Sequence, residues 1–285
     1  MRICLYWNGT AGGGISLDRV KEVLTRGGHQ IVRIVEEESA LREAAGDVDC
    51  VAAAGGDGTI ARAGRALTGT TVPLAILPMG TANNIARSLG IGGDVTQMVK
   101  RWHEMQVAKI DVGSVACGRN TGLFVESVGS GLVASCIEEG RATLSKDDPD
   151  MHLEDAVALY VNSVGAAPLR HHSIKLDDEE ISGDFFLVEI LNTPSIGPQL
   201  EFAADANAAD GFFSVVAAGE ADRDAVRNYL TSASRSPGNA GLRSWRARRV
   251  AISGADRIHI DDRVAAAGGS TIRIAMRSAA LSILA

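Results

Sequence analysis

The chain has only four cysteines, Cys4, Cys50, Cys117 and Cys136, and none of them forms a C-x-x-C pair. Two lie inside apolar strand-like runs, so reduced, mostly buried thiols are expected rather than a disulfide framework or a thiolate metal site. No apolar run reaches the roughly 18 residues needed to span a bilayer, and no charged, apolar and small-residue leader opens the sequence. The expectation is a cytoplasmic protein whose membrane contact, if it has any, is peripheral. Basic residues are a minority: 28 Lys and Arg stand against 35 Asp and Glu, for a formal net charge of -7. That balance excludes general nucleic-acid binding and a uniformly basic membrane face. The sequence also lacks repeats of about 20 to 50 residues, a Ser-His-Asp ordering, an H-E-x-x-H and a complete GxxxxGK[ST]. Solenoids, serine hydrolases, zinc proteases and P-loop NTPases are therefore set aside.

What is present suits one large domain or two ordinary ones, since 285 residues at 46% hydrophobic content can fill real cores. Up to about residue 109 the periodicity alternates. Apolar runs over 2–7, 30–35, 50–54 and 74–77 read as strands, and helical spacing follows over 15–26, 40–45 (with Ser39 as a cap) and 59–67. Such alternation predicts a parallel sheet with helices on both faces, with ligands collecting at the carboxyl ends of the strands. Beyond residue 109 the pattern changes to short runs rich in branched residues, over 110–115, 123–128, 173–176, 185–191, 212–217, 250–253, 257–260 and 270–275. Helical spacing interrupts them at 153–164 and 222–230. These runs predict an antiparallel sandwich or barrel.

Three turns fall at predicted strand ends: residues 8–14, 55–59 and 79–84. In the second, the run ending at Ala54 stops at Gly55-Gly56-Asp57-Gly58-Thr59 before a helix. Such a turn aims backbone N–H groups and the positive end of a helix at one point, which holds phosphate. Asp57 in an anion site calls for a cation between carboxylate and phosphate, and Mg²⁺ suits that place. The same spacing also serves a plain strand-to-helix turn in which Asp and Thr act as caps.

GGDGT followed by Pro78-Met79-Gly80-Thr81-Ala82-Asn83-Asn84-Ile85-Ala86-Arg87 resembles the diacylglycerol kinase-like lipid kinases, a family that includes the bacterial lipid kinases and the sphingosine and ceramide kinases. GGDGT alone is shared with NAD kinases and ATP-type phosphofructokinases, whereas the pair of motifs is more specific. Asn8-Gly9 stands where the family has Asn-Pro. Residues 124–131 (FVESVGSG) resemble its first sandwich strand, residues 192–198 its N-x-x-x-x-G stretch, Asp210-Gly211 its Asp-Gly turn, and Asp261-Asp262-Arg263 its Asp-Gly-Glu.

The resemblance implies a nucleotide-binding α/β domain over 1–110 and a β-sandwich lipid-substrate domain over 111–285, with the last segment packing back on the first domain. It implies an ATP- and Mg²⁺-dependent kinase acting on a hydroxyl of diacylglycerol or a related lipid, in phospholipid biosynthesis. Nucleotide contacts fall to Asn8, Gly55, Gly56, Asp57, Gly58, Thr59, Gly80, Thr81 and Asn83. Asp261 is the general base beside Asp57, and Asp210 with Asn207 belongs to the metal network. Asn207 stands where the family often has an acid, and Arg263 puts a cation where it has an anion. Two alternatives stay open: another GGDGT-type small-molecule kinase resembling NAD kinase, and a noncatalytic lipid- or nucleotide-binding relative. A lipid partner, peripheral membrane contact and a homodimer are the expected associations. Residues 234–249 gather Arg235, Arg243, Arg246, Arg248 and Arg249 around Leu242 and Trp245, a combination suited to an anionic membrane surface or to a solvated loop whose Trp packs inward.

Overall fold

The computed structural model describes residues 1–7, 16–143, 153–233 and 238–285. Asn8 and Arg235 lie outside the described residues. The N-terminal part alternates β1 (Arg2–Trp7), α1 (Leu17–Arg26), β2 (Gln30–Val35), α2 (Leu41–Ala44), β3 (Cys50–Gly55), α3 (Asp57–Leu67), β4 (Leu74–Pro78), α4 (Asn84–Ser88) and α5 (Val95–Arg101). Its strands pair in parallel in the order β2-β1-β3-β4. Alternate residues of each strand feed opposite cores. Ile3, Leu5, Ala52, Ala54, Ala75 and Leu77 pack with Val20, Val23 and Leu24 of α1. Cys4, Tyr6, Val51, Ala53 and Ile76 pack with Ile60, Ala63 and Leu67 of α3. Helices thus cover both faces, which is why these strands read as continuous apolar runs. Cys50 lies at the centre, and burial pushes its thiol up to about 12.

The remainder comprises β5 (Val107–Cys117), β6 (Asn120–Phe124), β7 (Ser127–Gly131), α6 (Leu132–Thr143), α7 (Leu153–Val164), β8 (Arg170–Leu176), β9 (Glu179–Leu191), β10 (Ser195–Ile196), β11 (Leu200–Glu201), β12 (Phe213–Gly219), α8 (Arg223–Ala233), β13 (Ser244–Ala247), β14 (Arg249–Ser253), β15 (Arg257–Ile260), β16 (Arg263–Ala266) and β17 (Ile272–Leu284). Its larger strands are antiparallel and share one core through Phe124, Val128, Ile190, Phe213, Ile252 and Ile274. Helices α6, α7 and α8 cover the opposite faces of β9 and β12 with Leu132, Val157, Tyr160, Val226 and Leu230.

Three local expectations differ from the structure. The strand expected over 123–128 breaks at Val125-Glu126, between β6 and β7. Helix α6 was not signalled, because its buried residues crowd into its first turns. Ser39 sits inside a 3₁₀ turn, Glu38–Ala40, and caps no helix.

The two parts are joined through β17. Ile272 to Arg277 pair with β14 and β5, the register then shifts around Ala279 (φ 52°), and Leu281 to Leu284 pair with the start of β5. Ile283 also pairs in parallel with Leu74 of β4. Leu281 and Ile283 are buried in the core formed with α3 and β4. Ile283→Ala is expected to cost about 2–5 kcal/mol, as large-to-small core substitutions do. A urea midpoint unchanged from the parent chain would show that the end of β17 is not part of that core.

Candidate active site

The two glycine turns meet backbone to backbone. A Cβ on Gly80 would lie 2.4 Å from the Gly56 Cα, and one on Gly56 would lie 3.2 Å from the Gly80 Cα. Gly80 has no room for a side chain here, and one on Gly56 would be tightly crowded. Gly55 is held the same way, since its Cβ would meet Thr59 Oγ1 at 2.6 Å. The Met79 N–H donates to the Gly55 carbonyl at 2.9 Å, extending the β3–β4 pairing into the turns.

Side chains of both motifs brace this junction. Asp57 Oδ1 accepts the Ile85 N–H at 2.9 Å, at the start of α4. Burial pushes the Asp57 carboxyl up, and the N–H groups of residues 83–85 and its own pull it back. Asn83 is left-handed (φ 52°) and closes a ring with Gly80: its Oδ1 accepts the Gly80 N–H at 2.9 Å, and its Nδ2 donates to the Gly80 carbonyl at 2.7 Å. Asp57 and Asn83 therefore fix the turns, whereas Thr81 is exposed and Thr59 is buried.

Asp261 is placed as an anchor. It is 3% exposed, its Oδ1 accepts the N–H groups of Val125 (3.0 Å) and Glu126 (2.9 Å), and its Oδ2 accepts from Arg65 Nη1 at 2.6 Å. Arg65, on α3, also meets Glu38 at 3.3 Å, and these two acids hold its charge on against burial. Burial pushes the Asp261 carboxyl up, while Arg65 and the two N–H groups oppose it. With both oxygens engaged, Asp261 is not open to a substrate hydroxyl as a base would be. Arg263, expected on its side, is exposed and lines a shallow cleft of about 400 Å³ with Glu38, Arg42 and Arg65.

The neighbouring Asp262 faces the glycine turn instead. Its Oδ2 lies 2.8 Å from the point where a Gly58 Cβ would sit, so Gly58 leaves room for a carboxylate at the N-terminus of α3. Arg62 lies 3.5 Å and Arg141 3.8 Å from that oxygen, and Oδ1 is buried without a hydrogen-bond partner. Glu126 completes a carboxylate cluster. Its pKa is held well above the usual range, by burial first and then by the charges of Asp57, Asp261 and Asp262. Asn84 Nδ2 donates to Glu126 Oε1 (2.8 Å) and to the Gly197 carbonyl (2.9 Å), joining the second motif to the loop of residues 192–198.

Behind the cluster, Glu189 and His259 form a buried pair, 0% and 1% exposed, with Oε2 and Nε2 2.8 Å apart. The other ring nitrogen is 3.1 Å from the Asp261 carbonyl, which can only accept. Nδ1 is therefore the donor there, and the Glu189 carboxylate favours a second ring proton. Glu189 and the Asp261 carbonyl raise the His259 pKa against burial. Gly129 makes room for the pair, because a Cβ there would lie 2.3 Å from Glu189 Oε1. Both acids had a visible signal, an acidic residue inside an apolar run, in FVES and FFLVEIL.

The residues expected to hold metal do not fit one. Asp210 Oδ1 accepts the Phe212 N–H at 2.9 Å, its Oδ2 accepts Arg246 Nη2 at 2.7 Å, and Asn207 Oδ1 accepts the Ala209 N–H at 3.0 Å. Among the described residues no group of three or more His, Cys, Asp or Glu side chains is arranged to hold a metal ion. Arg243, Arg246 and Arg248 are likewise engaged. Arg246 and Arg248 lie over the Phe212 ring at 4.6 and 4.5 Å, and Arg243 lies over Trp245 at 4.6 Å. Trp245 packs against the antiparallel core.

The geometry defines a class: an α/β unit, with paired glycine turns at parallel strand ends, joined to an antiparallel β unit through a cluster of carboxylates. Residues 2–115 match the family model described as the diacylglycerol kinase catalytic domain. The chain is 25% identical over 233 residues to a diacylglycerol kinase of Mycobacterium tuberculosis, covering 76% of this chain and 73% of that protein. It is 25% identical over 201 residues to one of Staphylococcus saprophyticus, covering 69% and 63%. It is 28% identical over 186 residues to one of Bacillus subtilis, covering 63% and 57%. The match thus spans less than two thirds of the last two. The fold is shared with a crystal structure of a putative diacylglycerol kinase from Bacillus anthracis, with TM-score 0.75 at 20% identity, over 99% of this chain and 96% of that one. The likeness to the diacylglycerol kinase catalytic domain is carried by residues 2–115, and the likeness of fold extends over the rest of the chain.

Two outcomes follow from this site. Because the His259 pKa is raised above 6.5, the stability its imidazolium contributes is complete below about pH 6.5 and is lost as pH rises through the higher folded value. The parent chain's melting temperature should fall on the alkaline side and His259→Gln should flatten that fall; an identical pH dependence in both would remove the imidazolium assignment. Because Arg246 already neutralises Asp210, EDTA should leave the melting temperature unchanged while Arg246→Gln lowers it. The reverse pattern would return a cation to that turn.

Proposed function

We propose that this chain is an ATP-dependent kinase transferring the γ-phosphoryl group to a hydroxyl of diacylglycerol or a related lipid. The observation that carries this reading is Asp262, with one oxygen against Gly58 at the start of α3 and the other buried without a partner. In this reading residues 1–110 bind the nucleotide. Its phosphates lie against the first turn of α3, where N–H groups and the helix dipole favour anions and the side-chain-free turn at Gly55, Gly56 and Gly80 permits close approach. Residues 111–285 bring the lipid. Diacylglycerol resides in a bilayer, so the enzyme works at a membrane surface from the cytoplasmic side.

Phosphoryl transfer needs position and charge more than covalent chemistry. Asp262 takes the proton as the lipid oxygen bonds to the γ-phosphorus and the bond to the β-phosphate oxygen breaks, leaving ADP and a lipid phosphomonoester. Arg62 and Arg141 keep a positive field beside the carboxylate as charge moves. Asp261 works through Arg65, holding the hairpin that carries Asp262 against α3. Glu126 keeps its proton through burial first and then through its acidic neighbours.

With diacylglycerol vesicles and labelled ATP, Asp262→Asn is expected to lower kcat by about 10²- to 10⁴-fold with little change in the KM for ATP. Asp261→Asn should reduce stability as well, by about 3–5 kcal/mol, because it leaves Arg65 buried without its principal partner. A folded Asp262→Asn chain with the parental kcat would overturn the assignment of the base, and phosphorylation of NAD but not of lipid would overturn the substrate class.

A further inference from the structure

The outer face of the antiparallel sheet carries a trough of about 920 Å³ that the proposed reaction does not use. Its register can be followed strand by strand. Lys175 of β8, Ala251 of β14, Arg273 of β17, Ala116 of β5 and Thr121 of β6 are successive partners in one row. With neighbouring strands about 4.8 Å apart, the row spans about 19 Å. Two residues along, Arg249, Ala275, Ser114 and Leu123 form the next row, and Arg277 follows on β17. Strand side chains alternate between faces. Val250, Ile252, Ile272 and Ile274 point into the core, and the residues between them point out. On the outward side the floor is small (Ala116, Ala251, Ala275, Ser114), and cations rise around it.

Elsewhere this acidic chain sets Arg62, Arg65, Arg223 and Arg257 against carboxylates. Here the side chains of Lys175, Arg273 and Arg277 have no hydrogen bond or ion pair among the described residues, and Arg249 lies 3.8 Å from Asp177. Two acids also line the trough. Asp177 turns its carboxylate to the N–H groups of Arg248 and Arg249, and Asp178 is exposed at the hairpin tip. Four cations against two acids leave an excess of positive charge, on a chain of net charge -7. Guanidinium forks and an ammonium around a floor without large side chains suit a tetrahedral dianion, and the volume is that of a small-molecule site. Gly122 and Leu123 line both this trough and the shallow cleft at Arg65 and Arg263, so an occupant would lie beside the face of α3 that anchors Asp261.

We propose that the trough is a second anion site, for a phosphate-bearing ligand with at least two negative charges, separate from the glycine turns. The ligand is either a soluble phosphorylated molecule or an anionic lipid headgroup. The full chain and an Arg273→Gln/Arg277→Gln variant would be titrated with pyrophosphate by calorimetry. Both would also be sedimented with phosphatidylcholine vesicles with and without phosphatidic acid. Both arginines are exposed and unpaired, so the variant should keep the parental melting temperature, and Lys175→Gln provides a second probe. Binding of pyrophosphate, weakened at least about tenfold in the variant, would establish the site with a soluble occupant. Binding only to phosphatidic acid vesicles, weakened likewise, would establish it with a headgroup. Parental binding in both variants, or no binding to either probe that the substitutions reduce, would overturn the proposal.

Discussion

Two backbones in van der Waals contact, Gly56 against Gly80, set the position of every group in the candidate site. The contact depends above all on Gly80 lacking a Cβ, and it brings the carboxyl ends of β3 and β4 closer than a side chain there would permit. From that closeness the rest follows. Asp57 on the first turn reaches the start of α4, Asn83 locks the second turn, and Asn84 at the start of α4 reaches Glu126 and Gly197 in the antiparallel part. A methyl group at Gly80 would push β4 away from β3 and disconnect this chain of bonds.

The second organising influence is electrostatic, and it mixes satisfied and unsatisfied charge. Asp261 with Arg65, and Glu189 with His259, are buried ion pairs whose donors and acceptors face one another. They hold a hairpin in place rather than adding much net stability, since burying charge costs about as much as pairing returns. Glu126 and Asp262 are different. Glu126 is crowded by acids, and Asp262, like Glu189 at Oε1, keeps an oxygen with no partner, a kind of imbalance that native interiors rarely tolerate away from functional sites.

Much of this was legible in the sequence, and the boundary of what was legible has a physical origin. Local patterns gave the alternation of β1 to α5 and the placement of two glycine turns at strand ends, because apolar period and turn chemistry act over a few residues. The same patterns could not show that Gly56 and Gly80 touch, or that Arg65 pairs with Asp261, 196 residues away. Position within a motif also misled at one point. Asp261 matches the acid expected at the strand end, but its left-handed backbone (φ 49°) turns its carboxylate into the protein, while Asp262, read only as a replacement for glycine, points at α3. The Arg-rich stretch suggested a membrane contact because sequence shows charge but not the Phe212 and Asp210 that engage those arginines.

The path of β17 bears on the order in which the molecule is built. The exposed edge of β4 is closed by Ile283, and the start of β5 is paired by Leu281 to Leu284, so strands made early wait for residues made very late. On the ribosome the parallel sheet emerges with an open, apolar edge, the kind of surface that recruits other strands. The small Ala-rich strand β3 lies safely inside, but β4 stays unguarded until translation is nearly past residue 284. A chaperone that shields strand edges, or a slow passage through the codons of β17, would therefore affect the yield of this protein more than the stability of its finished fold.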